Sequence, residues 1–290
     1  MTRNTIFPIA IFIMLVGMAM ALSTALAQPI PGAVLYFNPV ETDQTDRDKV
    51  WRNAGEAGGE LEHSKLKPKL EEGVISIKGI GFKEDTKWYT ADESGMTFSN
   101  AAPGAKTPVV NLEDFTMGLL MRINGPMLAQ EHHLVGIQAQ PREQVQNFRI
   151  WLDAGGNGDF ANISIAQGAL GLRDDWPKGT HGLRVGEQEW HWVHMVFESG
   201  KNFTSYVDGE KVGRTGPSVK WNKKHDMSLH AIFSHSRAEE VRTCNCSIAI
   251  YRVYDRAFSE DEVNQNVRGS FAVDPSGKVS TTWGKLKRGF

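Results

Sequence analysis

The chain has 290 residues, with 32 basic and 34 acidic side chains and a formal net charge of −2. So balanced a surface gives no electrostatic case for nucleic acid or an anionic membrane as partner. Two cysteines exclude a disulfide-dense scaffold, so the fold must rest on its hydrophobic core.

Residues 1–27 stand outside the expected fold. Arg3 supplies a positive start, Ile6 to Leu22 is apolar apart from Pro8 and Gly17, and Ala25-Leu26-Ala27 is an A-x-A cleavage signal. The expectation is a cleaved signal peptide and an exported mature chain with no transmembrane segment. Residues 28–32 (Gln28-Pro29-Ile30-Pro31-Gly32) form a short linker into one domain, 33–270.

That domain is expected to be built from short strands. Ala33–Asn38 opens it, and Val74–Lys78 follows a polar loop. Along Phe115–Ile123, the residues Phe115, Met117, Leu119, Met121 and Ile123 face one way, with Thr116, Gly118 and Arg122 opposite. A period of two puts one face of this strand on the core. Asn147–Asp153 and Phe160–Ala166 flank Gly155-Gly156-Asn157-Gly158 as a hairpin. Trp190–Phe197 is a strand and Asn202–Val207 another. Asp208-Gly209 turns the chain into Glu210–Arg214, the residue pair a type I′ turn prefers.

Between Ile248 and Tyr254 nearly every residue is β-branched or aromatic, which suits a strand covered on both faces. Ser259 and Glu262 then form a Ser-x-x-Glu capping box that opens a short helix. Residues 271–290 hold a turn, Asp274-Pro275-Ser276-Gly277, and read as a terminal hairpin or edge strand. Cys244 and Cys246 would share a face about 6.5 Å apart if extended, at the outer limit for a disulfide. A local bridge, two free thiols and bonds to another chain all stay open.

Trp190-His191-x-Val193, then Tyr206-Val207-Asp208-Gly209, then Ile250-Tyr251-x-Val253-Tyr254-Asp255-Arg256-Ala257-Phe258-Ser259-Glu260-Asp261-Glu262, taken in that order, resemble laminin-G-like, concanavalin-A-like jelly-roll domains. The likeness covers most of residues 33–268. It implies an all-β fold, an antiparallel two-sheet jelly-roll sandwich with a short C-terminal helix. Many short strands and a single C-terminal helix point independently to an antiparallel sandwich.

Such domains more often bind than catalyse. The resemblance therefore implies non-catalytic recognition of an extracellular glycan or glycoprotein by aromatics and carboxylates at the loop rim. Trp176 beside Asp174 and Asp175, Trp221 in Lys220-Trp221-Asn222, and Trp88 are the candidate ligand-binding residues. The resemblance also implies a calcium ion, for which Asp153, Asn157 and Asp159 offer oxygen donors, although turn chemistry alone explains this segment.

No catalytic residues are assigned. The Glu-x-Asp-x-x-Glu strand of related glucanases is absent, and so is a Gly-x-Ser-x-Gly elbow. His191 and His194, three apart on a strand, point to opposite faces and cannot share a metal. The alternatives are a structural or adhesive surface protein and a glycan hydrolase or lyase with an atypical carboxylate pair.

Overall fold

The computed structural model describes residues 30–40, 50–63, 66–77, 79–80, 82–92, 94–99, 107–125, 131–139, 147–154, 160–167, 183–184, 188–215, 225–234 and 243–269. The chain divides into two compact units. One is Gly32–Glu260, which holds all the strands, and the described residues 30–31 and 261–269 belong to the other.

In chain order the strands are β1 (Leu35–Phe37), β2 (Val50–Arg52), β3 (Glu60–His63), β4 (Lys69–Ile77), β5 (Phe82–Ala91) and β6 (Phe98–Ser99). They continue with β7 (Val109–Leu112), β8 (Phe115–Ile123), β9 (Glu131–Ala139), β10 (Asn147–Ala154), β11 (Phe160–Gln167) and β12 (Leu183–Arg184). The last five are β13 (Trp190–Glu198), β14 (Asn202–Val207), β15 (Glu210–Thr215), β16 (His225–Ile232) and β17 (Cys246–Tyr254). The first sheet runs β15-β14-β13-β8-β17-β5-β4, with β1 also on β17. The second runs β12-β11-β10-β9-β16-β6-β3-β2, with β7 also on β16. The two sheets share one hydrophobic core, so the expected antiparallel sandwich is what forms.

Four aromatics knit the sheets together. Trp51 and Phe98 of the second sheet meet Phe37 and Tyr89 of the first. Ring centroids lie 5.6 Å apart for Phe37–Trp51, 4.8 Å for Trp51–Tyr89 and 4.6 Å for Tyr89–Phe98. Such offset and edge contacts add about 0.5–1.5 kcal/mol each beyond the area they bury.

Alternation along β8 places Phe115, Met117, Leu119, Met121 and Ile123 in that core as expected. Its other face is covered as well: Thr116, Gly118 and Leu120 are buried, and only Arg122 stays half-exposed. All nine residues of β17 are buried, in line with the apolar run that predicted cover on both faces. A register shift between Ile248 and Ile250 inserts one residue against β8. Ile248 and Tyr251, three apart, therefore both reach the core.

The predicted type I′ turn is present, with φ of 54° at Asp208 and 89° at Gly209. Asp208 pins it, its carboxylate accepting the Trp192 amide and sitting 2.8 Å from His191 Nδ1. The helix α1 (Glu260–Arg268) starts directly after Ser259, where the capping box placed it. Its buried residues Val263, Asn266 and Val267 follow helical spacing. The predicted terminal element, 271–290, and the segment 1–27 lie outside the described residues.

One reading is corrected and one open alternative is settled. Trp88-Tyr89 is not loop or rim but the interior of β5, which the polar run Lys83–Lys87 conceals from periodicity. Cys244 and Cys246 are joined, with Cα atoms 5.3 Å apart rather than about 6.5 Å. Only Cys246 is in the strand, and the chain bends at Asn245, which draws the two residues together.

Two consequences for stability follow. A Cβ at Gly118 would lie 2.9 Å from Nε2 of His194, whose ring is fully buried and stacked 5.2 Å from Trp192. Gly118→Ala is expected to cost about 1–3 kcal/mol in urea unfolding, as overpacking does. Burial pushes the Tyr251 phenol well above its usual range. Folding therefore favours the protonated form, and the stability this contributes is lost as pH rises past about 10. Tyr251→Phe should leave neutral-pH stability within about 1.5 kcal/mol and flatten the alkaline decline in thermal midpoint.

Candidate functional site

Strand register assembles one polar row on the outer face of the first sheet. Lys69 pairs with Thr90, Thr90 with Ser247, Ser247 with Arg122, and Arg122 with Trp190. Directly paired residues share a face, so five strands contribute to one line. Glu71 opposite Trp88 forms the next row. Where β8 and β5 end and β13 and β17 begin, Asn124, Asp92, Gln188 and Asn245 close the row into a pocket of about 290 Å³.

Arg122 is its centre. The guanidinium carbon lies 5.6 Å from the Trp88 ring and 5.2 Å from the Trp190 ring, and the two indoles meet edge-on at 5.2 Å. Each cation–π contact contributes about 0.5–2 kcal/mol, depending on exposure. Both indoles are buried, so the clamp is preformed. Trp88 is fixed further by its Nε1–H, donated to Glu71 Oε2 at 2.8 Å. Gly73 makes room for that ring, since a Cβ there would come within 3.1 Å of it.

Hydroxyls and an amide tie the strands together beneath the guanidinium. Thr90 Oγ1 lies 3.1 Å from Glu71 Oε2 and 2.8 Å from Ser247 Oγ, which lies 3.1 Å from Asn124 Oδ1. Two hydroxyl protons thus serve three contacts. Arg122 Nε–H donates to Asn124 Oδ1 at 3.0 Å. Because a guanidinium only donates, this bond fixes the orientation of the Asn124 amide and turns Nδ2 away. That Nδ2 is buried and has no partner among the described residues. Glu71 is 3.9 Å from Arg122 Nη2, an ion pair without a direct hydrogen bond. The Arg122 pKa is lowered, because the loss of water outweighs the attraction of Glu71.

The cysteine bridge supports the opposite wall. It holds the bend at Asn245, whose backbone carbonyl accepts the backbone N–H of Asn124 at 3.0 Å.

Of the residues expected to bind ligand, Trp88 belongs to this pocket's frame. Asp174, Asp175, Trp176 and Trp221 lie outside the described residues. Asp153 is in β10, opposite Glu131 and Asn162, while Asn157 and Asp159 are outside the described residues. No group of three metal-ligating side chains occurs among the described residues. Sequence reasoning placed Arg122 opposite the core but missed Lys69, Glu71, Thr90, Asn124, Asn245 and Ser247. An arginine on the covered face of an otherwise apolar strand was the available signal.

Residues 99–264 match the laminin G family model described as the concanavalin A-like lectin/glucanases superfamily. The chain belongs to this family. Among solved structures it is similar to the Trypanosoma rangeli sialidase in complex with sialic acid, at 12% identity and a TM-score of 0.50, covering 83% of this chain and 33% of that one. It is also similar to the botulinum neurotoxin serotype D binding domain, at 12% identity and a TM-score of 0.45, covering 82% and 51%. A third is the binding domain of Paraclostridial Mosquitocidal Protein 1, at 14% identity and a TM-score of 0.42, covering 81% and 52%. The chain spans about half the length of these binding domains and a third of the sialidase. At such identities the likeness concerns the fold. No curated protein matches the sequence.

Closing so small a ring as Cys244-Asn245-Cys246 restrains the unfolded chain modestly, by roughly 1.5 kcal/mol on loop-entropy reasoning. Cys244→Ala with Cys246→Ala should therefore lower the thermal midpoint by a few degrees without unfolding the protein. Calorimetry of the double variant checks this.

Proposed function

We propose that this protein is an exported, non-catalytic carbohydrate-binding member of its family, with its ligand site in the pocket around Arg122. The observation that carries the reading is the preformed clamp. Two buried indoles hold a cation that lines a small cavity together with amides, a hydroxyl, two carboxylates, Lys69 and the apolar Ala91 and Met96. Sugar hydroxyls and ring oxygens call for such a mixture of donors and acceptors on a rigid scaffold. The site lies on the sheet face beside the strand ends, with strand residues rather than loop-rim aromatics at its centre.

Hydrolysis fits less well. Glu71 and Asp92 both line the pocket. Glu71 is paired with Trp88, four residues from Asp92, which puts the two backbone positions about 13 Å apart along the strand direction. Glycosidase carboxyl groups stand roughly 5–10 Å apart, a separation these two would reach only with their side chains leaning toward each other. Glu71 also spends one oxygen on the Trp88 indole.

The test is a glycan-array screen of the protein in calcium and again in EDTA, with Trp190→Ala alongside. Binding that survives EDTA and falls at least about ten-fold in Trp190→Ala is expected, since the variant removes one wall of the clamp. Binding abolished by EDTA would move the site to the segment holding Asp153, Asn157 and Asp159. No binding to any glycan would overturn the reading in favour of a protein partner.

A further inference from the structure

The pocket is lined by two cationic and two anionic side chains, and both kinds keep unused hydrogen-bonding capacity. Its two carboxylates are partly engaged within the protein: Glu71 Oε2 takes the Trp88 indole, and Asp92 Oδ1 takes both the amide and the hydroxyl of Ser94. Its cations are engaged only in part. Arg122 gives Nε to Asn124, while Nη2 is 3.5 Å from Ser247 Oγ and 3.9 Å from Glu71. No described residue accepts from Nη1. Asn124 Nδ2 is buried without an acceptor, and Lys69 lines the same pocket without an ion pair among the described residues. A guanidinium taken partly out of water is costly to leave short of acceptors, and an acceptor from outside relieves that cost.

Shape narrows the choice. Indoles held against the guanidinium by cation–π contact leave its N–H fork as the recognition edge, and that fork matches a carboxylate in a two-point contact. Lys69 lies three strands away along the same row, about 14 Å at the backbone, so its long side chain adds charge at the pocket's other end. A volume of about 290 Å³ sits at the bottom of the usual range for small-molecule sites, which suits one sugar residue rather than a chain.

Building on the carbohydrate reading, we infer that the ligand is a carboxylated sugar residue at the end of a glycan, a uronate or a sialate. Its carboxylate is met by the Arg122 guanidinium, which Asn124 Oδ1 holds through Nε. Lys69 attracts the charge, and Glu71 keeps Trp88 in place.

The inference is tested by titrating the protein with methyl glycosides of glucuronic acid, N-acetylneuraminic acid and glucose at low salt. At least one acid should bind about ten- to hundred-fold more tightly than the glucoside, and the preference should shrink as salt is raised. Arg122→Gln should abolish the preference. Lys69→Gln, an exposed change that spares the clamp, should reduce it several-fold even if Arg122→Gln fails to fold. Equal binding of acidic and neutral glycosides overturns the inference and leaves the carbohydrate reading standing. Absence of binding to all three, alongside a blank glycan array, overturns both.

Discussion

A sheet buried on both faces keeps an arginine only where aromatic rings and neutral acceptors replace the water it loses. The first sheet meets that condition twice on its outer face. Arg252, with 2% of its surface exposed, lies 4.8 Å from the Tyr36 ring and 5.7 Å from that of Trp192. Arg122, toward the other end of the neighbouring strand, lies between Trp88 and Trp190. The chemistry of the two positions is alike and their access differs. At Arg252 the cover is complete, while at Arg122 it gives way and the guanidinium becomes part of a pocket wall.

That difference depends on the register of two central strands. The extra residue in β17 near Ala249 lets Ile248 and Tyr251 both serve the core. It also decouples the polar end of the strand, Ser247, from the apolar end beyond it. Ser247 can then join Thr90, Asn124 and Arg122 without exposing the hydrophobic residues that follow. The same strands thus provide a dry core on one side and a wet site on part of the other.

Much of this architecture was legible from residue patterns. Five alternating apolar side chains announced β8, Asp208-Gly209 announced the β14–β15 hairpin turn, and the uninterrupted run from Ile248 to Tyr254 announced a doubly buried strand. The pocket was not legible, because its members are neighbours only through pairing. Thr90 and Ser247 are 157 positions apart, and Glu71 meets Thr90 across 19. No local motif marks such a row, since single serines, threonines and asparagines are common on any sheet. The charged stretch before Trp88 added to the difficulty by disguising β5 as a loop. Loop aromatics therefore drew attention that belonged to a strand.

The family match begins at residue 99, the last residue of β6, after β4 and β5 have ended. Arg122, Asn124, Trp190, Asn245 and Ser247 fall inside the matched span, whereas Lys69, Glu71, Trp88 and Thr90 fall before it. The pocket and its frame therefore draw residues both from the matched span and from the strands before it. Changes at the outward positions of β4 and β5 alter Lys69, Glu71, Trp88 and Thr90 while leaving Arg122 and Trp190 in place on β8 and β13, so the two halves of the arginine's surroundings can be varied separately.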